Sequence, residues 1–188
     1  MKKNNILWLL LLALCSIFAA CKKDHPPKTE LEKLPPATQT GANTFGCLLN
    51  GKAWVAHTDC KYLCDPAFKL RYDNSEGGNI FASVILSNSE NIKQSMSFAI
   101  DSTNTKTYFN YQVLGTKHMG FTFSDNNLFN GCGFIFSADS TTSTIGIINL
   151  SRYDLQNGVV SGTFEFTLSK SGCETINATN GRFDFKLF

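Results

Sequence analysis

Three observations predict an all-β fold, an antiparallel β-sandwich or barrel of about ten strands. Apolar residues recur at every second position in run after run, Gly-containing pairs punctuate those runs, and no window of about a dozen residues carries a helical stripe.

Along the chain, the first strand pair is marked by Asn50-Gly51 between Cys47-Leu48-Leu49 and Lys52-Ala53-Trp54-Val55. Both central positions of a type I′ hairpin need positive φ, which Asn and Gly adopt at least cost. Ile80 to Leu86 is apolar on both faces, as expected of a central strand. Met96, Phe98 and Ile100 keep a period of two, as do Phe109, Tyr111 and Val113, then Phe121 and Phe123, then Phe134 and Phe136. Thr163 to Leu168 sets Phe164, Phe166 and Leu168 against Thr163, Glu165 and Thr167. Arg182 to Phe188 likewise sets Phe183, Phe185 and Leu187 against Arg182, Asp184 and Lys186. Glu76-Gly77-Gly78-Asn79, Asn157-Gly158 and Asn180-Gly181 read as further turns. Residues 44–188 hold 15 of the 16 phenylalanines, enough apolar volume for one core, and form a single β-domain in this reading.

The N-terminus has a different chemistry. Lys2 and Lys3 precede an apolar run from Ile6 to Phe18, and Ala19-Ala20 stands directly before Cys21. This is the pattern of a bacterial lipoprotein signal, which predicts removal of residues 1–20 and lipidation of Cys21. As a helix, the apolar run rises only about 20 Å, short of a hydrocarbon core of about 30 Å. The rival Cys15 follows the bulky Leu14 where a small residue is needed. Residues 21–43 hold four of the five prolines and almost nothing apolar, and read as a flexible tether. The expected location is the cell envelope, lipid-anchored in the outer membrane, with periplasmic and surface-facing orientations both open. The bilayer is the first partner, through acylated Cys21.

Formal charge is +2, but residues 44–188 carry 11 basic and 12 acidic side chains. The domain lacks the basic footprint of a nucleic-acid binder, so no nucleic-acid partner is expected. His57 and His118 sit in no catalytic pattern, and no catalytic residue is assigned. His57, Asp59, Cys60 and Cys64 form the one metal-like constellation. It lacks the second ligand pair of a zinc motif, and oxidation to disulfides competes with it outside the cytoplasm, so neither metal nor cofactor is expected. Asp73 to Gly77 offers clustered oxygens but not the spacing of a calcium loop.

Five cysteines remain in the domain. Cys132 with Cys173, and Cys47 with Cys64 or Cys60, are the expected bridges. Ser151-Arg152-Tyr153-Asp154 and Gly181-Arg182-Phe183-Asp184 share an Arg-aromatic-Asp unit, read as exposed ion pairs across strands or as the four charges of a polar site. Two functional classes follow. One is a non-catalytic binding or interaction module for a saccharide, lipid or protein ligand, with Trp54, Tyr62, Tyr72 and Tyr108 as candidate contact residues. The other is a hydrolase of envelope or extracellular glycans or peptides, built on carboxylates such as Asp154 and Asp184.

The run Leu34-Pro35-Pro36-Ala37-Thr38-Gln39-Thr40-Gly41-Ala42-Asn43-Thr44-Phe45-Gly46-Cys47, followed by Asn50-Gly51, resembles the opening of an uncharacterised lipoprotein family of the Bacteroidota. Val160-Ser161-Gly162-Thr163-Phe164-Glu165-Phe166 and Gly181-Arg182-Phe183-Asp184 resemble that family's C-terminal pattern. The resemblance implies an envelope compartment and a β fold, and brings no catalytic residues.

Overall fold

The computed structural model describes residues 28–58, 67–73, 79–87, 93–101, 107–109, 120–128, 131–136 and 141–188. Its strands are β1 (Thr44–Leu49), β2 (Lys52–Val55), β3 (His57–Thr58), β4 (Phe68–Asp73), β5 (Asn79–Ser87), β6 (Lys93–Asp101), β7 (Thr107–Phe109), β8 (Phe121–Asp125), β9 (Phe134–Phe136), β10 (Thr142–Asp154), β11 (Val159–Lys170) and β12 (Ile176–Lys186). They form two sheets, ordered β2-β1-β12-β11-β10-β7 and β3-β5-β6-β8-β9, with β4 beside β3 on the same edge of β5. Every pairing is antiparallel except β3 with β5. The sheets face each other as a sandwich.

The alternation read from the sequence is what closes the core. Phe45, Phe164, Phe166, Phe183 and Phe185 point inward from the first sheet, and Ile80, Val84, Met96, Phe98, Phe121 and Phe123 meet them from the second. Phe45 stacks on Phe164 with ring centroids 4.8 Å apart, and Phe121 on Phe166 at 4.5 Å. Phe98 crosses the interface to Phe183 at 5.2 Å. Offset and tilted rings at these separations add to the burial of their area.

Asn50 (φ 47°) and Gly51 (φ 81°) both have positive φ, so the β1–β2 hairpin closes as the dipeptide predicts. Asn180-Gly181 does not make the turn expected of it. β12 runs straight through it, Asn180 takes φ 52°, and the register with β11 slips between Phe164 and Phe166. The pair is a bulge. A Cβ on Gly181 would lie 2.4 Å from the Phe164 carbonyl oxygen, so only glycine lets the strands stay this close.

Cys132, just before β9 in the second sheet, is bonded to Cys173 in the β11–β12 turn of the first, with Cα atoms 5.5 Å apart. This bridge joins the two sheets. The expected bridge from Cys47 to Cys64 or Cys60 is not made: Cys47 is a free, fully buried thiol inside the core, and Cys60 and Cys64 lie outside the described residues. Inward strand phase puts Cys47 inside the core, in the same buried cluster as Phe45.

The tether boundary drawn at Asn43 is also corrected. Residues 30–43 lie against the first sheet. Leu31–Lys33 forms a 3-10 turn, Glu30 Oε2 accepts the Ala53 N–H on edge strand β2 at 2.7 Å, and Leu34 is buried. Pro35 sits on Gly46, where a Cβ would stand 2.7 Å from the proline Cδ. Threonines, a glycine and an asparagine in this segment find fixed partners on the sheet, which a count of its apolar residues does not reveal.

Candidate functional site

The strap formed by residues 34–43 crosses the outer face of the first sheet, and Asp184 holds it there. Asp184 alternates with Phe183 and Phe185, so its side chain leaves the core side, yet it is wholly buried because the strap covers it. Its carboxylate accepts Thr38 Oγ1 at 2.6 Å, Thr40 N at 2.9 Å, Thr40 Oγ1 at 3.2 Å, Gly41 N at 2.8 Å and Ala42 N at 3.2 Å. Ser161 Oγ, opposite on β11, donates at 2.6 Å. Burial pushes the Asp184 pKa up, but the hydrogen bonds from Ser161, Thr38, Thr40 and Gly41 outweigh it and hold the carboxyl well below the usual range. Successive backbone N–H groups converging on one anion form a nest, here filled by the protein's own carboxylate. Gly41, at φ 77°, makes the bend possible.

The second copy of the Arg-aromatic-Asp unit serves the same strap. Arg152 lies opposite Ser161, donates from Nη1 to the Gln39 carbonyl at 2.6 Å, and pairs through Nη2 with Asp154 at 2.7 Å. The ion pair therefore runs along one strand and not across two. Asp154 also accepts the Asn157 N–H and Nδ2 at 3.0 and 2.8 Å, closing the β10–β11 turn. Arg152 first, then Asn157, keeps its carboxyl well below the usual range. Both carboxylates that a hydrolase reading singled out are thus engaged in holding the fold, and the exposed ion pair expected at Asp184 is a buried nest instead.

Beside the strap lies a groove of about 490 Å³. Its floor is the outer face of β10, β11 and β12. Asn149, Thr163 and Arg182 form one cross-strand row, and Ile147 and Glu165 the next. Asn180 enters at the bulge, and Ala37 of the strap forms a wall. Among the described residues, the side chains of Asn149, Thr163, Glu165, Asn180 and Arg182 hydrogen-bond to no other protein group. They present two amides, a hydroxyl, a carboxylate and a guanidinium on a sheet whose other face is packed phenylalanine. Nothing local in the sequence marks them. They are the ordinary polar halves of alternating strands, and only the pairing register assembles them.

A second groove, about 450 Å³, lies on the outer face of β4, β5, β6 and β8, with half-exposed Phe81 and Ala99 on its floor and Lys69 and Arg71 at its edge.

The aromatic candidates separate. Trp54 is a core residue: it is buried, packs edge-on against Phe45 at 5.8 Å, and donates its indole N–H to Gln94 Oε1 at 2.8 Å. Gln94 Nε2 passes the chain to Asp125 Oδ2 at 2.6 Å, so a polar thread links β2 of the first sheet to β6 and β8 of the second. Tyr72 is half-buried against the core. Tyr62 lies outside the described residues, as does the side chain of Tyr108 on β7. Of the metal-like constellation only His57, on β3, is described, and Asp59, Cys60 and Cys64 are not.

Among the described residues no helix is long and apolar enough to cross a membrane. Comparison with protein-family models, with curated proteins and with solved structures finds no match to this chain.

Proposed function

We propose that the chain is a lipid-anchored envelope protein whose β-sandwich is a non-catalytic binding module, and that the groove beside the strap takes a hydroxyl-rich ligand of the saccharide class. The observation that carries this reading is the set of five polar side chains, Asn149, Thr163, Glu165, Asn180 and Arg182, placed around one groove by strand register with their donors and acceptors unused within the protein. Sugar hydroxyls both donate and accept, and a mixed row of amide, carboxylate and guanidinium groups meets both needs. The volume falls in the range of small-molecule sites, and the strands beneath it are held by the core, so little ordering accompanies binding. The anchor rests on Ala19-Ala20-Cys21 after the apolar run, which also supports outer-membrane placement.

Calorimetry against a panel of soluble envelope and extracellular oligosaccharides tests the ligand class. Glu165→Ala and Arg182→Ala are each expected to weaken binding about tenfold, some 1.4 kcal/mol, with unchanged thermal stability. Failure of every glycan to bind, or binding indifferent to both substitutions, rejects the groove as the site. Cys21→Ala is expected to release the protein from the membrane fraction, and continued tight association of the processed variant rejects the anchor.

A further inference from the structure

The strap changes how far the domain stands from its anchor. With residues 30–43 docked, only eight residues, 22–29, separate Cys21 from Glu30, the first residue bonded to the sheet, instead of the 22 that a free tether would supply. At full extension the short connection spans about 30 Å and the long one about 80 Å. The attachment point is also fixed. Glu30 Oε2 binds Ala53 N on edge strand β2, so the β2 edge is the part of the sandwich that the connection pulls toward the lipid.

We propose that the domain rides against the bilayer surface with its β2 edge toward the headgroups, held in that pose by the Asp184 nest. The proposal rests on the lipid-anchor reading above. The chemistry of that edge suits a headgroup layer. Leu31 is 47% exposed, and Lys28 and Lys33 of the same segment and Lys52 on β2 are exposed as well. Two carboxylates share the edge: Glu30 is paired with Lys33, and Glu32 accepts Thr29 N at 2.7 Å. One exposed apolar side chain on an edge with three lysines against two carboxylates is the composition of a weak interfacial contact with anionic lipid, too weak alone but sufficient beside a covalent anchor. The saccharide groove, on the outer face of β10 to β12, then sits along the flank of the sandwich, walled on one side by the strap and open sideways to the envelope space.

The test uses the full acylated chain in vesicles containing an anionic lipid and a headgroup-located energy-transfer acceptor. A fluorescent amino acid replaces either Lys52 on β2 or Ile145 on β10, four strand spacings or about 19 Å further along the sheet. Transfer from position 52 is expected to exceed transfer from position 145 clearly. A Gly/Ser insertion after Pro27 that restores about 22 residues of spacer is expected to lower transfer at 52 and erase the difference, without touching the fold. Hydrogen exchange on the same sample should show slow Thr40, Gly41 and Ala42 amides, fast in Asp184→Ala. Equal transfer from the two positions in the uninserted protein, or unprotected strap amides, overturns the proposal. An unacylated Cys21 in the mass spectrum instead overturns the anchor reading beneath it, so the two failures are told apart.

Discussion

Thr38 and Asp184 stand 146 residues apart in the chain and are joined by a 2.6 Å hydrogen bond from Oγ1 to Oδ2. That bond is one of six on a single buried carboxylate, and it turns a proline-rich leader into part of the sandwich.

Asp184→Ala leaves Ser161 Oγ and the Thr40, Gly41 and Ala42 amides without their acceptor. A loss of about 3 kcal/mol is expected, the scale of charge-assisted hydrogen bonds removed from a covered site. Urea unfolding of the wild type and variant measures it, and a change below about 0.5 kcal/mol would mean that the strap is not held by this residue.

Acid should find the same group. The folded-state pKa of Asp184 lies below its ordinary value, so its contribution to stability is complete above the unfolded-state value of about 3.9 and is lost as pH falls through the lower folded-state value. Asp154 has the same sign through Arg152. Stability is therefore expected to be flat from these groups above about pH 5 and to fall below about pH 4. Asp184→Asn should flatten that acid limb, which a series of denaturation curves across pH will show.

The bridge between Cys132 and Cys173 closes a loop of 41 residues between the sheets. Replacing both cysteines with serine is expected to cost about 2–4 kcal/mol, mostly by freeing the unfolded chain. A non-reducing peptide map should recover the Cys132–Cys173 peptide pair, and its absence from envelope-derived protein refutes the linkage.

Burial pushes the Cys47 thiol up to about 12, and no surface reaches it. At pH 8 it should resist iodoacetamide in the native protein and react once urea unfolds the chain. Rapid native labelling of Cys47, read by mass spectrometry, contradicts a closed core.

Trp54→Phe keeps the ring in the core but strands Gln94 Oε1, and a loss of about 1–2 kcal/mol is expected. Gln94→Met, which also removes the donor to Asp125, should cost less in the Trp54→Phe background than in the wild type if the polar thread is the cause, and a double-mutant cycle reads the coupling.

The sequence by itself determined the layers. Phe164 and Phe166 against Thr163 and Glu165, Ile80 to Leu86 as a central strand, and the Asn50-Gly51 hairpin are all set by local period and local φ preference, and each is found where the pattern places it. Counting five cysteines allowed fifteen ways to make two bridges, among which Cys132 with Cys173 was one expectation, and the tertiary structure makes that pair. What the tertiary structure alone decided are the relations between residues far apart in the chain. Trp54 was a candidate contact residue until packing put it in the core, Asn180-Gly181 was a turn until β11 and β1 paired with β12 on both sides of it, and Asp184 was an exposed charge until the strap closed over it. The groove of Asn149, Thr163, Glu165, Asn180 and Arg182 exists only through the register of three strands. Alternation tells which face a side chain takes, but its neighbours on that face, and whether water or another segment covers it, depend on pairing register, from the adjacent strands β10 to β12 up to the 146-residue reach from Thr38 to Asp184, which no local preference encodes.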